Sequence, residues 1–424
     1  MVIRKISYYR VIVSLCLFMF LLSPVFGDEI SAVSFDKELP ENNIVTIQPD
    51  SLRILHNPLT GWVLYASMGV DAADFWAQYD HMYIPELGHN VSVTDYAHTL
   101  YIRASWTDFN PQEDVYGWKI DSNLRAYIEG AYQRNMRLAF RVVVDSRDKR
   151  TEFTPQFVKD AGAKGFMNKG KWSPYSDDSV FQKYYTKFVK ALAKDFNDPS
   201  KVEFIDGFGL GKWGEYHTMI YSTGDDTPKK AVFDWVTDIY SQAFDKVPVV
   251  INYHRWIGAG KDWVDDEHFA ADSEEMLEEA IKKGYSLRHD AFGMTTYYGS
   301  WERRFAKKYR NICPIIMEGG WIVKSHSYWQ DPRGYRKDSH EDVRRGEFDD
   351  SKEAHVNMMD FRFGDTEFWF KDAFDLVRRF LREGGYRLYP SEISLPLEVS
   401  KKTTPTIKHC WNNMGWGYCP TTVS

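Results

Sequence analysis

Cysteine is scarce in this sequence, which has only four cysteines among its 424 residues. Cys16 lies in the apolar start of the chain, and the other three are too few for a disulfide-stabilised scaffold. Cys410 and Cys419 are close enough in sequence to bridge in an oxidising compartment, whereas Cys313 opens an apolar run and is expected to be a buried thiol.

Three common catalytic signatures are also missing. The chain contains no H-E-x-x-H, C-x-x-C or G-x-S-x-G segment, so no such motif predicts a zinc protease, a dithiol site or a hydrolase nucleophile elbow. Glu215 and His217, with His254 or His289, remain a weak alternative as metal ligands, because zinc catalysis needs three ligands and the spacing here is unspecific. No cofactor is predicted.

The chain has no excess of positive charge. Its 53 lysines and arginines face 60 aspartates and glutamates, which gives a formal net charge of −7. Loss of residues 1–27 would remove three basic residues and no acidic one, so the net charge would become −10. Nucleic acid is therefore not expected as a partner, since phosphate binding needs a basic face. The oligomeric state stays open.

Long apolar runs are confined to the first 27 residues. Arg4, Lys5 and Arg10 precede the apolar residues 11–22, and Val25-Phe26-Gly27 offers the small residues that signal peptidase reads. The pattern predicts a signal peptide, residues 1–27, and export to the periplasm or the cell exterior. An uncleaved anchor is the alternative, but the run is short for a membrane span. No span is expected after cleavage.

Between residues 53 and 385, short apolar runs alternate with amphipathic helical patterns. The strand-like runs are residues 61–66, 99–104, 138–144, 202–210, 247–253, 291–296 and 313–317, with a weaker eighth at 355–361. The helical patterns cover 120–135, 179–196, 229–244, 273–283, 301–309 and 368–383. Such alternation predicts a parallel sheet closed into a (β/α)8 TIM barrel; a doubly wound open sheet is the alternative.

The two edges of the chain read differently. Residues 28–52 are polar and predict an extended lead-in, while residues 386–424 alternate and contain prolines, which predicts β-strands. This C-terminal region is too short for a full sandwich, so it is expected either to pack on the barrel or to be the start of a longer, truncated domain.

Two glutamates are the leading catalytic candidates. Glu215 and Glu318 each come at or just past an apolar strand-like run, and the count above places them after strands four and seven. Strands at these positions lie across the barrel mouth from each other, and catalysis in TIM barrels takes place at that face. Two carboxyl groups about 5 Å apart support a retaining glycosidase mechanism, with an acid/base and a nucleophile. Loop carboxylates in salt bridges are the alternative.

A glycine pattern beside Glu215 imitates a nucleotide site. Residues 209–214 fit G-x-G-x-x-G after a strand, but no helical pattern follows at once and no acidic residue lies at the expected strand end. We therefore interpret these glycines as a tight strand exit that lets the backbone approach a substrate.

Other residues near the predicted strand exits are candidates for binding sugar. Arginines could hold a carboxylate ionised, or pair with Asp108 or Asp145 instead; polar groups could bind hydroxyls, and indoles could stack on sugar rings. The predicted substrate-binding residues are Arg103, Trp106, Arg141, Trp213, His217, Asn252, His254, Tyr297 and Trp321.

Five segments together resemble a known family. They are Asn57-Pro58-Leu59-Thr60-Gly61-Trp62, Trp106 with Asn110-Pro111-Gln112-Glu113-Asp114-Val115-Tyr116-Gly117-Trp118, Gly211-Lys212-Trp213-Gly214-Glu215-Tyr216-His217, Gly385-Tyr386-Arg387-Leu388 and Trp411-Asn412-Asn413-Met414-Gly415. The first and last resemble parts of bacterial barrel proteins with a DUF4832-type C-terminal region. The second is similar to the W…P-x-E-G-x-Y-x-W segment of family 42 and related clan A glycosidases.

This resemblance, over roughly residues 53–424, implies a bacterial retaining glycosidase with its acid/base after strand four and its nucleophile after strand seven. Those roles would be carried over to Glu215 and Glu318. Gly214 stands where clan A proteins usually have an asparagine that binds the sugar 2-hydroxyl. The expected activity is β-galactosidase-like cleavage of a β-linked oligo- or polysaccharide; a non-catalytic glycan-binding barrel is the alternative.

Overall fold

The computed structural model describes residues 42–147, 151–260, 267–293, 297–320, 340–362, 364–397, 399–401 and 404–420. The predicted signal peptide, residues 1–27, lies outside the described residues. The described residues divide into a larger unit, within 46–392 and 409–420, and a smaller one, within 42–45 and 393–408. None of the described helices is long and apolar enough to cross a bilayer.

Fifteen strands are found in the described residues. They are β1 (Asn42–Thr46), β2 (Gly61–Tyr65), β3 (Met82–Ile84), β4 (His89–Val91), β5 (Ala97–Ser105), β6 (Arg137–Val143), β7 (Gly165–Asn168), β8 (Lys171–Pro174), β9 (Val202–Asp206), β10 (Val249–Asn252), β11 (Ser286–Phe292), β12 (Ile315–Gly319), β13 (Met358–Phe361), β14 (Leu388–Pro396) and β15 (Lys408–Asn413).

Eight of these strands close into a barrel in the order β10-β11-β12-β13-β2-β5-β6-β9, and every neighbouring pair is parallel. The predicted (β/α)8 TIM barrel is thus confirmed, and closure excludes the open-sheet alternative. Two antiparallel pairs, β3-β4 and β7-β8, stand outside the barrel, and β14 is the middle strand of a separate three-stranded sheet.

Helices connect the barrel strands. They are α1 (Ala72–Asp80), α2 (Trp106–Phe109), α3 (Gly117–Ile120), α4 (Ser122–Gln133), α5 (Gln156–Asp160), α6 (Ser179–Phe196), α7 (Lys229–Ala243), α8 (Glu267–Lys282), α9 (Ser300–Tyr309), α10 (His340–Glu353), α11 (Thr366–Asp372) and α12 (Phe374–Glu383). In α6, Asp178 caps the first turn, and apolar residues spaced three and four apart face the core.

One barrel strand lies elsewhere than predicted. The sixth is β11 at Ser286–Phe292, which begins at Ser286 rather than at residue 291; residues 294–296 of the predicted run lie outside the described residues. Asp290 lies in the second half of β11. The prediction was wrong because Arg288, His289 and Asp290 interrupt the apolar pattern, although inside this barrel the charged side chains of Arg288 and Asp290 have partners. The helix predicted at 368–383 is also two helices, α11 and α12, which meet at Ala373.

The barrel interior changes from apolar to polar along the strands. Its apolar layer consists of Leu59, Val63, Tyr65, Tyr101, Ala139, Phe204, Val250, Ile316 and Met358. Because side chains two residues apart share a face of a strand, the next inward position on six strands is polar. These positions are Arg103, Arg141, Asp206, Asn252, Glu318 and Asp360. The alternation therefore places a polar layer at the C-terminal ends of the strands.

Candidate active site

Arg141 connects the acidic groups at the barrel mouth. It is fully buried on β6, and its Nε donates to Asp206 Oδ2 at 2.9 Å. Its Nη1 lies 3.4 Å from Glu215 Oε1 and 3.5 Å from Asp290 Oδ2, and its Nη2 lies 3.6 Å from Glu318 Oε2. One guanidinium thus faces four carboxyl groups, two of which are the predicted catalytic pair.

A second buried arginine supports the other side of this cluster. Arg288 on β11 pairs with Glu318 through Nη2, and the same nitrogen lies 3.5 Å from Asp360 Oδ2. Its Nε is 3.4 Å from Asp206 Oδ2, and its guanidinium stacks over the Tyr101 ring at 4.6 Å. Glu318 is therefore held by Arg288 and Arg141 together.

Glu215 lies in a different environment. The residue is only 5% exposed, Arg103 Nη2 is 3.7 Å from its Oε1, and His217 Nε2 is 3.3 Å from its Oε2. Burial, and next the negative charge of Asp290, raise the pKa of Glu215 to about 7. Around neutral pH, Glu215 can therefore give up a proton or take one, as a general acid/base must.

Asp290 is the partner that keeps the proton on Glu215. Burial alone would raise the pKa of Asp290, but the hydrogen bond from Glu215 and the charge of Arg141 lower it overall. Asn252 Nδ2 also donates to Asp290 Oδ1 at 3.1 Å. The two carboxyl groups thus divide their roles, since Asp290 carries the negative charge and Glu215 carries the proton.

Asp360, beside Glu318, is a second buried carboxyl group with a raised pKa. Burial, followed by the charge of Glu318, raises the pKa of Asp360 well above its ordinary value, and Gly319 N donates to its Oδ1 at 3.2 Å. The cluster of ion-paired groups at the mouth contains three arginines and five carboxyl groups: Arg103, Arg141, Arg288, Asp206, Glu215, Asp290, Glu318 and Asp360.

The strand exit that carries Glu215 has an unusual backbone. After Gly209 and Gly211, three residues other than glycine have positive φ: Trp213 at 59°, Tyr216 at 60° and Thr218 at 51°. Arg103 Nη2 donates to the Trp213 carbonyl at 2.8 Å, and His254 Nε2 donates to the Glu215 carbonyl at 2.7 Å. Such left-handed residues cost energy and are typical of functional sites, where surrounding contacts hold them.

The same exit excludes the nucleotide interpretation. Lys212–Gly214 is a single 3-10 turn, and no long helix opens after the glycines to receive a phosphate. At Gly214, φ is +77°, and a side chain there would place its Cβ 3.3 Å from Val143 Cγ2. The backbone that positions Glu215 therefore favours glycine at this point.

The predicted sugar-binding residues divide into three groups. Arg103 reaches the mouth, and Trp213 is half-buried beside His217, with ring centroids 5.6 Å apart. Buried residues around Glu215 and Asp290 are Arg141, His217, Asn252, His254 and Tyr297. Trp106 is fully buried between Phe157, Phe181, Tyr185 and Phe188, so its indole has no face to offer a sugar. Trp321 lies outside the described residues.

Two cavities differ in chemistry. The mouth cavity, about 340 Å³, is lined by Tyr65, Arg103, Asp108, Phe153, Glu318 and Arg362, among others. The lower cavity, about 650 Å³, lies where β10, β11 and β12 begin and is lined by Val247, Tyr285, Cys313 and neighbouring residues. We place the site at the mouth cavity, because Glu318 and Arg103 line it and Arg141 connects Glu318 to Glu215.

No group of three His, Cys, Asp or Glu side chains in the described part of the chain is arranged to hold a metal ion. Among the metal ligands considered from the sequence, His254 already uses both ring nitrogens. Its Nε2 donates to the Glu215 carbonyl, and its Nδ1 accepts from Trp256 N at 3.1 Å. Burial, and next the proximity of His217, lower the pKa of His254 to about 3, so its ring is a neutral support for the Glu215 backbone.

Four residues of this cluster were missed from sequence: Asp206, Arg288, Asp290 and Asp360. Each is a charged residue inside a barrel strand, and each falls on the same face as an inward residue two positions away. Asp360 follows Met358 at that spacing, and Asp290 follows Arg288. Charged residues with period two in a predicted barrel strand were therefore the signal that would have found them.

Comparison with known proteins adds little beyond the fold. No family profile and no curated protein matches the chain, so the DUF4832-type and family 42 resemblance stays a prediction. Among solved structures, xylanase B from Clostridium stercorarium F9 is similar at 14% identity, with 72% of this chain and 85% of that chain covered and a TM-score of 0.41. Endo-glycoceramidase II from Rhodococcus sp. has 13% identity, 82% coverage of each chain and a TM-score of 0.41. An exo-β-1,4-mannosidase from an Opitutaceae bacterium has 11% identity, 77% and 55% coverage and a TM-score of 0.40.

Proposed function

We propose that this protein is a glycoside hydrolase in which Glu215 and Glu318 are the catalytic pair. The observation that carries the proposal is their contrasting environment on opposite sides of Arg141. The pKa of Glu215 is raised to about 7, whereas Glu318 is paired with two buried arginines. A carboxyl group that keeps its proton near neutral pH, facing a second carboxyl group that is paired with arginines, suits glycosidic bond cleavage.

The proposed steps follow from these two environments. Glu318 attacks the anomeric carbon while Glu215 donates its proton to the leaving oxygen; Glu215 then accepts a proton from the water that releases the sugar. Their nearest oxygens touch the same guanidinium at 3.4 and 3.6 Å. They therefore cannot be farther apart than roughly 9.5 Å, the upper end of the range for paired glycosidase carboxyl groups.

The finer parts of the proposal are retention of configuration, a β-linked and galactoside-like substrate, and export as predicted from residues 1–27. Retention is supported by the sequence resemblance, which gives Glu318 the role of nucleophile. The substrate's β-linkage is supported only by the sequence resemblance, and the sugar-contacting roles of Arg103 and Trp213 remain part of the proposal.

The test compares Glu318→Gln and Glu215→Gln on a panel of aryl glycosides and oligosaccharides, with product stereochemistry followed by NMR. We expect kcat to fall on the order of 10³-fold or more for Glu318→Gln, because the nucleophile is lost. Glu203→Gln is the matched control: Glu203 is equally buried on β9, but it pairs with Arg137 at the other end of the barrel.

A non-catalytic glycan-binding barrel is the alternative outcome. In that case the protein would bind a glycan with no product formed, and Glu318→Gln would leave binding unchanged. Trapping of a glycosyl group on Glu318 by a fluorinated glycoside, seen by mass spectrometry, would distinguish the enzyme from the binding protein.

A further inference from the structure

Four arginines lie near the barrel mouth, and one of them, Arg362, has no ion pair or hydrogen bond to its side chain among the described residues, although its charge acts on Asp360. Arg141 and Arg288 are fully buried in ion pairs, and Arg103 is tied to Tyr65 Oη at 3.3 Å and to the Trp213 carbonyl at 2.8 Å. Arg362 directly follows β13 and is half-buried. Its side chain forms no ion pair or hydrogen bond with any residue that the structure describes.

Arg362 lines the mouth cavity together with Arg103 and Glu318. It is not needed to hold Glu318, because Arg141 and Arg288 already do so from the barrel interior. Arg362 also lies close to Glu318 along the barrel wall. A Cβ atom placed on Gly319, the residue after Glu318, would be 3.6 Å from Arg362 Cβ. A half-buried guanidinium in this position is available to a ligand.

The two carboxyl groups that line the mouth cavity are engaged by other residues. Glu318 is compensated by its own two arginines, and Asp108 Oδ2 accepts from Ser105 N at 3.1 Å and Ser105 Oγ at 2.7 Å in the cap of α2. Arg103 adds a second positive charge on the same wall. The cavity therefore offers two guanidinium groups, which form planar, two-point hydrogen bonds with carboxylate, sulfate and phosphate groups.

We propose that the substrate bears an anionic group on the sugar bound in the mouth cavity, and that Arg362 is the residue that selects it. This inference rests on the proposed glycosidase function and names its substrate class. The group is a carboxylate, as in a uronic acid, or a sulfate ester. Both groups present oxygens that can accept hydrogen bonds from the paired N–H donors of one guanidinium group. Arg103, being fixed by Tyr65 and Trp213, serves as the second contact.

The experiment measures kcat/KM on matched pairs: nitrophenyl β-glucuronide against β-glucoside, and nitrophenyl β-galacturonide against β-galactoside, each also with a sulfated sugar. Wild type should prefer one anionic member, and the preference should weaken with added salt. Arg362→Gln should lower kcat/KM for that member on the order of 10- to 100-fold and change the neutral one about threefold or less. Arg362→Lys should recover only part, since it keeps the charge without the fork.

Arg382→Gln is the matched control, because Arg382 is half-buried on α12, where its Nε donates to the Arg378 carbonyl, and lies outside both cavities. Binding of glucuronate- and sulfate-containing oligosaccharides to Glu318→Gln, with and without Arg362→Gln, is measured by calorimetry. Preference for neutral sugars, or equal binding in both variants, would overturn the inference while leaving Glu318-dependent hydrolysis intact. If the wild-type protein instead binds the anionic oligosaccharides but hydrolyses none of the substrates, the proposed function is overturned.

Discussion

The two ends of the barrel are built from the same strands but are chemically opposite. On β9, Glu203 near the strand start pairs with one arginine at the rim, whereas Asp206 at the strand end contacts two fully buried arginines and Tyr101. The lower cavity is nearly twice as large as the mouth cavity, at about 650 against 340 Å³. Yet the buried charges concentrate around the smaller one.

The comparison teaches that size is a poor guide to function here. Buried ion pairs contribute little net stability, because desolvation offsets their attraction. A cluster of three arginines and five carboxyl groups is therefore hard to explain as a stabilising device. Its location at the mouth of the barrel is better explained by catalysis, which uses charged groups that are excluded from water.

The largest contrast is expected from removing an arginine at each end of β6. Arg141→Met leaves four carboxyl groups without their shared cation, so we expect a loss of about 3–5 kcal/mol in unfolding free energy and of nearly all activity. Arg137→Met, at the start of the same strand, should cost only about 1–2 kcal/mol because Arg137 is partly exposed. Urea titration and kcat measurements check both; equal losses would remove the distinction between the two ends.

A smaller effect, on the pH dependence of kcat/KM, is expected from Asp290→Asn. Glu215 must be protonated to act as an acid, so kcat/KM of wild type should fall as pH rises through about 7. Without the Asp290 charge, ionising Glu215 costs less, its pKa drops, and the alkaline limb should move down by about one unit. Asp245→Asn, beside the lower cavity, should not move it. An unshifted limb in Asp290→Asn would show that Asp290 does not govern Glu215.

How far the sequence predicts this molecule depends on the kind of signal. The helix at 179–196 and the barrel were predicted because periodicity and βαβ alternation are local patterns. The strand β11 was misplaced because Arg288 and Asp290 are tolerated only where partners from other strands surround them. The pairing of Glu215 with Asp290 joins residues 75 positions apart, and no local pattern reports such a contact.

The smallest effect concerns two glycines with positive φ, one at each end. Gly214→Ala must adopt φ near +77° and also press its Cβ to within 3.3 Å of Val143 Cγ2. Gly284→Ala has a φ of +95°, but its Cβ would meet nothing within 4 Å. Both changes should therefore cost about 1 kcal/mol of unfolding free energy from the backbone, and Gly214→Ala up to about 1 kcal/mol more from the contact.

Gly214→Asn should cost less than Gly214→Ala if backbone strain dominates, since asparagine accepts the left-handed region more readily. Thermal unfolding of the three variants separates these contributions, and a loss for Gly284→Ala that matches Gly214→Ala would mean that the exit around Glu215 is no more tightly packed than the opposite end.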